Sequence, residues 1–163
     1  LVVVGDGPER ARLEAMAKPN VQFLGRVNQE QVNGLMSRCR AYVYAGLEDF
    51  GIAPVEAMAA GAPVIGLAQG GLLDTVRCIS SGCSQPTGLL FPHQSVASLV
   101  AALEHFHQQR LWSHLPAEGM RAWAEQFAPH RFRARMVAVI ERAWASHQRE
   151  LQARSQPLSV PLG

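Results

Sequence analysis

Two acidic side chains, Glu48 and Glu56, frame the run Glu48-Asp49-Phe50-Gly51-Ile52-Ala53-Pro54-Val55-Glu56. An ionised carboxylate accepts hydrogen bonds from vicinal hydroxyls, and a sugar nucleotide carries such hydroxyls on both its sugar and its ribose. Gly51 offers backbone without a side chain between them, and Pro54 suits the first position of a helix. A helix start presents free N–H groups and a partial positive charge, which can hold a phosphate or a polar sugar. On that placement Glu48 lies in the loop before the helix and Glu56 in its first turn. A single glutamate at either place has a simpler reading, Glu56 as a complement to the helix dipole and Glu48 as a solvated side chain. Their combination with Gly51, Pro54 and several further glycine loops points to a ligand.

Other residues that invite chemistry carry less. Gly5-x-Gly7 opens like a dinucleotide fingerprint, but position 10 is Arg, so the third glycine is missing. His93, His105, His107 and His114 are scattered and read as surface or packing residues. Trp112, Trp123 and Trp144 read as core or interface anchors. Arg131, Arg133, Arg135 and Arg142 read first as a solvated helix face and second as a patch for a membrane surface. Cys39, Cys78 and Cys83 are odd in number and suit reduced thiols in a cytoplasmic protein. No further Cys or His stands close enough to them in sequence to complete a zinc site, and no metal is expected.

The elements that must position the acidic pair follow from hydrophobic patterning. Leu1–Val4 reads as a buried strand, with Gly5-Asp6-Gly7-Pro8 as a turn and Pro8 in the first turn of the next helix. Residues 21–24, 41–44, 63–66 and 88–91 read as further strands. Asn28 caps a helix that runs to about Cys39, with Gln31 as its capping-box partner. Gly61 ends the helix that begins near Pro54. The alternation predicts an α/β domain, Rossmann-like, with a parallel sheet and helices on both faces. Ligands in such sheets bind beyond the carboxyl ends of the strands. Those ends carry Gly5-Asp6-Gly7, Gly25-Arg26-Val27, Ala45-Gly46-Leu47-Glu48 and Leu67-Ala68-Gln69-Gly70-Gly71.

Past residue 95 the pattern turns helical, with Ser95 as a cap and further helices over 116–126 and 130–149. Residues 1–150 are expected to form the domain and 151–163 a loose tail. The chain has 163 residues, 48% hydrophobic and 17% charged, which supports a packed core. Fifteen basic and thirteen acidic side chains leave a formal charge of +2, too little to mark a nucleic-acid binder. No apolar run is long enough to span a bilayer, and no signal peptide is visible. The sequence opens in mid-strand, which reads as a piece of something longer.

Glu-x7-Glu, from Glu48 to Glu56, continues through Ala57-Met58-Ala59-Ala60-Gly61-x-Pro63-Val64-Ile65. Gly70-Gly71-x-x-Asp74-Thr75-Val76 and Thr87-Gly88-Leu89-Leu90-Phe91 follow, and Val4-Gly5-Asp6-Gly7-Pro8 and Phe23-Leu24-Gly25-Arg26-Val27 precede. In this the chain resembles the family 4 glycosyltransferases, firmly over residues 1–108 and loosely beyond. The resemblance implies the C-terminal, donor-binding half of a GT-B enzyme, which faces an N-terminal acceptor-binding domain across a cleft. It implies retention of anomeric configuration, no metal and no cofactor beyond the nucleotide sugar itself. By residue, Glu48 would contact the transferred sugar, and Phe50, Gly51 and Ile52 would face the sugar and diphosphate. Gly70 and Gly71 would line the diphosphate side. Gly25, Arg26 and Val27 would border the base, and Glu56 would hold the ribose. The Glu48–Glu56 segment is similar to mannosyltransferase-like members, which suggests GDP-mannose. An Arg and a Lys that steady the leaving diphosphate in the family belong to a stretch that would precede Leu1. The chain alone is therefore expected to bind nucleotide weakly and to transfer nothing. Peripheral membrane contact would follow from lipid-linked acceptors in the family.

Ala45 stands where the family often has Pro, and the insert from Arg77 to Pro86 is longer than the family pattern. A non-catalytic module with the same fold is the competing reading. A start codon just before Leu1 would favour the module, and an upstream frame for a second α/β domain would favour the enzyme.

Overall fold

The computed structural model describes the backbone of residues 1–155 and the side chains of residues 1–152. Two compact units result, one spanning Leu1–Ala124 and one beginning at Glu125. In the first, strands and helices alternate: β1 (Val2–Val4), α1 (Arg10–Met16), β2 (Gln22–Gly25), α2 (Gln29–Arg38), β3 (Tyr42–Tyr44), α3 (Ile52–Ala60), β4 (Val64–Leu67), α4 (Leu72–Thr75) and β5 (Gly88–Phe91), followed by α5 (Val96–Gln108) and α6 (Ala117–Ala124). In the second unit, α7 (Pro129–Ser155) follows a short 3-10 turn. It continues past residue 151, where the sequence suggests a loose tail; residues 156–163 lie outside the described residues.

Every strand pair is parallel, as the alternation predicts, but the strands form two sheets rather than one. β1 pairs with β2, and β3, β4 and β5 pair in that order. Val2 opposes Gln22 in the first sheet; Tyr42 opposes Val64, and Val64 opposes Gly88, in the second. β1 and β3 each have a neighbour on one side only. The apolar run at the N-terminus reads as a strand covered all round, yet Val2 and Val4, which share a face of β1, are each 43% exposed, so that face is only partly covered. A hydrophobic run identifies a strand without naming its neighbours.

The core lies around β4, whose four residues are all buried. Met58 of α3, Leu72 of α4, Phe91 of β5 and Met120 of α6 pack in the same cluster. Gly61 closes α3 in the left-handed region at φ 93° and directs the chain into β4. The Trp123 indole donates to the Thr75 carbonyl at 2.7 Å, and the Arg77 guanidinium lies 3.7 Å from the Trp123 ring centroid.

Helix starts follow the sequence in two places and depart from it in two. Ser95 caps α5 as expected, its Oγ accepting from the Ser98 N–H at 3.2 Å. Asn28 caps α2 as expected: its Oδ1 accepts from the Gln31 N–H at 2.9 Å, and the Gln31 Oε1 accepts from the Asn28 N–H at 3.1 Å. Asn28→Ala should therefore cost about 1 kcal/mol, read by chemical denaturation, because two backbone donors lose their arrangement. Pro8 lies ahead of α1, whose N-cap is Glu9, and is not in its first turn. Gly51, not Ala53, caps α3, so the helix begins at Ile52 and Pro54 is its third residue. Glu56 consequently sits in the second turn of α3 rather than the first. The reason is Gly51 itself, whose φ of 87° turns the chain into the helix earlier than proline alone suggests.

Candidate functional site

β3 ends at Tyr44, and the loop 45–51 leads from it to α3. Three contacts with distant parts of the chain shape this loop. The Gln94 side-chain amide donates to the Ala45 carbonyl at 3.1 Å. The Gly71 N–H donates to the Glu48 carbonyl at 2.7 Å. Gly70 and Gly71 then lie hard against the loop backbone. A Cβ on Gly71 would stand 2.5 Å from the Asp49 carbonyl oxygen and 2.6 Å from the Phe50 carbonyl carbon, and one on Gly70 would overlap the Glu48 carbonyl oxygen. The two glycines thus admit the close approach of two loops and set the height of Glu48–Gly51 above β4.

Glu48 is exposed, and its Oε1 accepts a hydrogen bond from the Tyr44 hydroxyl. That bond, followed by burial and by the charge of Glu48, pushes the Tyr44 phenol up to about 12. The sign is that of an acid kept neutral by folding. The contribution is complete below the ordinary phenol value of about 10 and is lost as pH rises through the folded value. Tyr42 and Tyr44, two residues apart on one strand, share a face, and their rings stack with centroids 6.5 Å apart and planes 9° apart. The Tyr42 phenol is also pushed up, first by burial, then by the charge of Glu56 and then by that of Glu48. The charges of both carboxylates are thus felt at one hydroxyl.

Glu56, also exposed, faces α2. A cavity of about 700 Å³ is lined by Gln29, Asn33, Gly34 and Ser37 of α2 and by Glu56, Ala59 and Ala60 of α3. Glu48 is not part of its lining. The acidic pair therefore addresses two places, one over the Tyr44 end of β3 and one in the groove between α2 and α3. A ligand spanning both would pass the start of α3, where the helix dipole favours negative charge. There Gly51 is buried, while the side chains of Phe50 and Ile52 are 45% and 69% exposed.

The remaining candidates sit on the first sheet. Gly25 ends β2 at φ 65°, accepts from the Gly5 N–H at 2.8 Å, and is packed under the Arg10 guanidinium. Arg26 is exposed and Val27 half-buried, and they lead directly into Asn28 and the α2 residues that line the cavity. Among the described residues no group of three His, Cys, Asp or Glu side chains could hold a metal ion. Cys39, Cys78 and Cys83 are free thiols. No helix among the described residues is long and apolar enough to cross a membrane.

Patterning placed Tyr42 and Tyr44 on a strand and Gly46 on the rim without giving any of them a role, and it left Gln94 unremarked. The available signal was two tyrosines at strand spacing immediately before the glycine-bearing loop, which places two hydroxyls at the rim.

Comparison with known proteins identifies the family of the chain. A family model described as "Glycosyl transferases group 1" matches residues 1–123. The chain is 36% identical over 106 residues, 61% of its length, to a 2-deoxystreptamine N-acetyl-D-glucosaminyltransferase of Streptomyces fradiae. It is 46% identical over 57 residues, 34% of its length, to the alpha-1,3/1,6-mannosyltransferase ALG2 of Dictyostelium discoideum. Among solved structures, sucrose-phosphate synthase from Thermosynechococcus elongatus superposes on 90% of the chain with a TM-score of 0.71 and 28% identity. The chain spans 24% and 14% of the lengths of the two relatives and 39% of that structure.

Proposed function

Since the chain belongs to the group 1 glycosyltransferases, we propose that it is the nucleotide-sugar-binding half of a retaining, metal-independent enzyme, one that moves a hexose from a GDP- or UDP-linked donor to a glycan or lipid-linked acceptor. The observation that carries this reading is the position of α3. Its left-handed Gly51 cap opens the helix between the two carboxylates, with Glu48 before it and Glu56 in its second turn. A nucleotide sugar laid across that start puts its diphosphate at the positive end of the helix. Its sugar hydroxyls then meet Glu48, and its ribose hydroxyls meet Glu56 above the α2–α3 groove. Gly25, Arg26 and Val27, at the entrance to α2, border the base. Phe50, Gly51 and Ile52 lie along the sugar and diphosphate. Gly70 and Gly71 hold that loop at its height and line the diphosphate side.

One of the relatives transfers mannose and the other N-acetylglucosamine, by their names. The Glu48–Glu56 segment resembles the mannosyltransferase-like members, so GDP-mannose is the first donor to test. The acceptor pocket on this reading belongs to a partner domain, and the chain alone transfers nothing.

Thermal shift of the chain with GDP and UDP tests the proposal. Nucleotide at about ten times its Kd should add about 1.4 kcal/mol of stability. Glu56→Ala should weaken nucleotide binding about tenfold or more, because it removes a charged acceptor from two hydroxyls. Equal shifts in wild type and Glu56→Ala would remove Glu56 from the ribose site.

A further inference from the structure

We propose that Tyr44 is a positioning residue for the donor sugar: with room made by Gly46, its phenol holds the Glu48 carboxylate in one orientation and leaves the second carboxylate oxygen for a sugar hydroxyl. The proposal rests on the reading of Glu48 as the sugar contact. It concerns how an exposed, flexible side chain comes to be preorganised.

Three observations carry it. The Tyr44 hydroxyl donates to Glu48 Oε1, which leaves Oε2 to accept from a ligand. The Tyr44 ring is itself held, stacked on Tyr42 with planes 9° apart. Gly46 lies directly against the phenol: a Cβ there would stand 2.8 Å from the hydroxyl oxygen, 2.9 Å from Cζ and 3.1 Å from Cε1. Gly46 is not among the glycines with positive φ. Its lack of a side chain thus serves the space that Tyr44 occupies and not a backbone turn. The loop beneath is anchored by Gly71 to the Glu48 carbonyl at 2.7 Å and by Gln94 to the Ala45 carbonyl at 3.1 Å. With its main chain anchored, the remaining freedom of Glu48 is rotameric, and the Tyr44 bond is what restrains it. A glutamate already ordered loses less entropy when a hydroxyl binds. The phenol stays protonated through neutral pH, so it remains a donor to the carboxylate.

The test uses the whole chain and two ligand pairs, GDP-mannose with GDP and UDP-glucose with UDP. Affinities are titrated by ligand-observed NMR, which reads weak binding. Tyr44→Phe keeps the ring and removes the donor; Gly46→Ala keeps the donor and pushes the ring aside. Each should weaken the nucleotide sugar about threefold to tenfold while leaving the matching nucleoside diphosphate within about twofold of wild type. Loss of both ligands in parallel, or a lowered melting temperature with an unchanged ratio of affinities, would mean that Tyr44 serves only the fold and would overturn the proposal. Glu48→Gln separates the two levels. If it weakens the nucleotide sugar and Tyr44→Phe does not, the sugar contact stands and the positioning role falls. If wild type and Glu48→Gln bind each nucleotide sugar no differently from its diphosphate, Glu48 makes no sugar contact and both fall.

Discussion

Gly71→Ala is expected to lower the melting temperature of the chain by about 5–10 °C, the shift that roughly 2–3 kcal/mol produces in a domain of this size. The backbone conformation is not the obstacle. Gly71 has φ −63° and ψ −16°, which alanine adopts freely. The obstacle is space, because the added Cβ meets main-chain atoms of Asp49 and Phe50 at 2.5 and 2.6 Å. Main-chain atoms yield only if the loop moves as a whole, and that movement stretches the 2.7 Å bond from the Gly71 N–H to the Glu48 carbonyl. The same substitution should therefore weaken nucleotide-sugar binding as well as stability. Gly7→Ala is the matched control: a Cβ there meets nothing within 4 Å, and its melting temperature should stay close to that of wild type. A Gly71→Ala protein as stable as Gly7→Ala would show that the two loops are not packed as described.

Phe91→Ala should cost still more, about 3–5 kcal/mol by chemical denaturation. The side chain is 2% exposed at the end of β5, beside Leu67 of β4, within the cluster that includes Met58 and Leu72. Removing it deletes a buried ring and leaves a cavity that β4, already buried along its whole length, cannot collapse to fill. Domains of this kind have a total stability of about 5–15 kcal/mol, so the variant should unfold at much lower denaturant or fail to fold at all. Val96→Ala, at a residue 80% exposed, should by contrast change stability by less than about 0.5 kcal/mol. Similar costs for the two would place the core elsewhere.

Much of the candidate site is legible without coordinates. Glu48 and Glu56 announce themselves by spacing, and the glycines at the carboxyl ends of strands mark the rim on which they stand. Asn28 with Gln31 and Gly61 were legible for the same reason: a cap is satisfied by atoms within a few residues. The start of α3 lies two residues before the position that Pro54 suggests, because proline is a strong local signal. The residue that caps the helix is Gly51, in the left-handed region, and a glycine in sequence does not declare its φ. That small shift moved Glu56 out of the first turn and made the α2–α3 groove, rather than the helix dipole, its immediate surroundings.

Sequence alone determined the order of the strands and of the longer helices, though not the short α4, together with the parallel sense of the sheets, the acidic pair and the family. Each of these is written in periodicity, caps or motif spacing, which are properties of neighbours along the chain. Tertiary structure decided that the five strands divide into two sheets, that Tyr44 and not solvent takes one oxygen of Glu48, and that Gly70 and Gly71 are small because Glu48, Asp49 and Phe50 press on them. These depend on distances between residues far apart in sequence, as from Gln94 to Ala45 or from Gly71 to Glu48. No local pattern encodes such distances, because they are set by how the loops close over β4 once the core has packed.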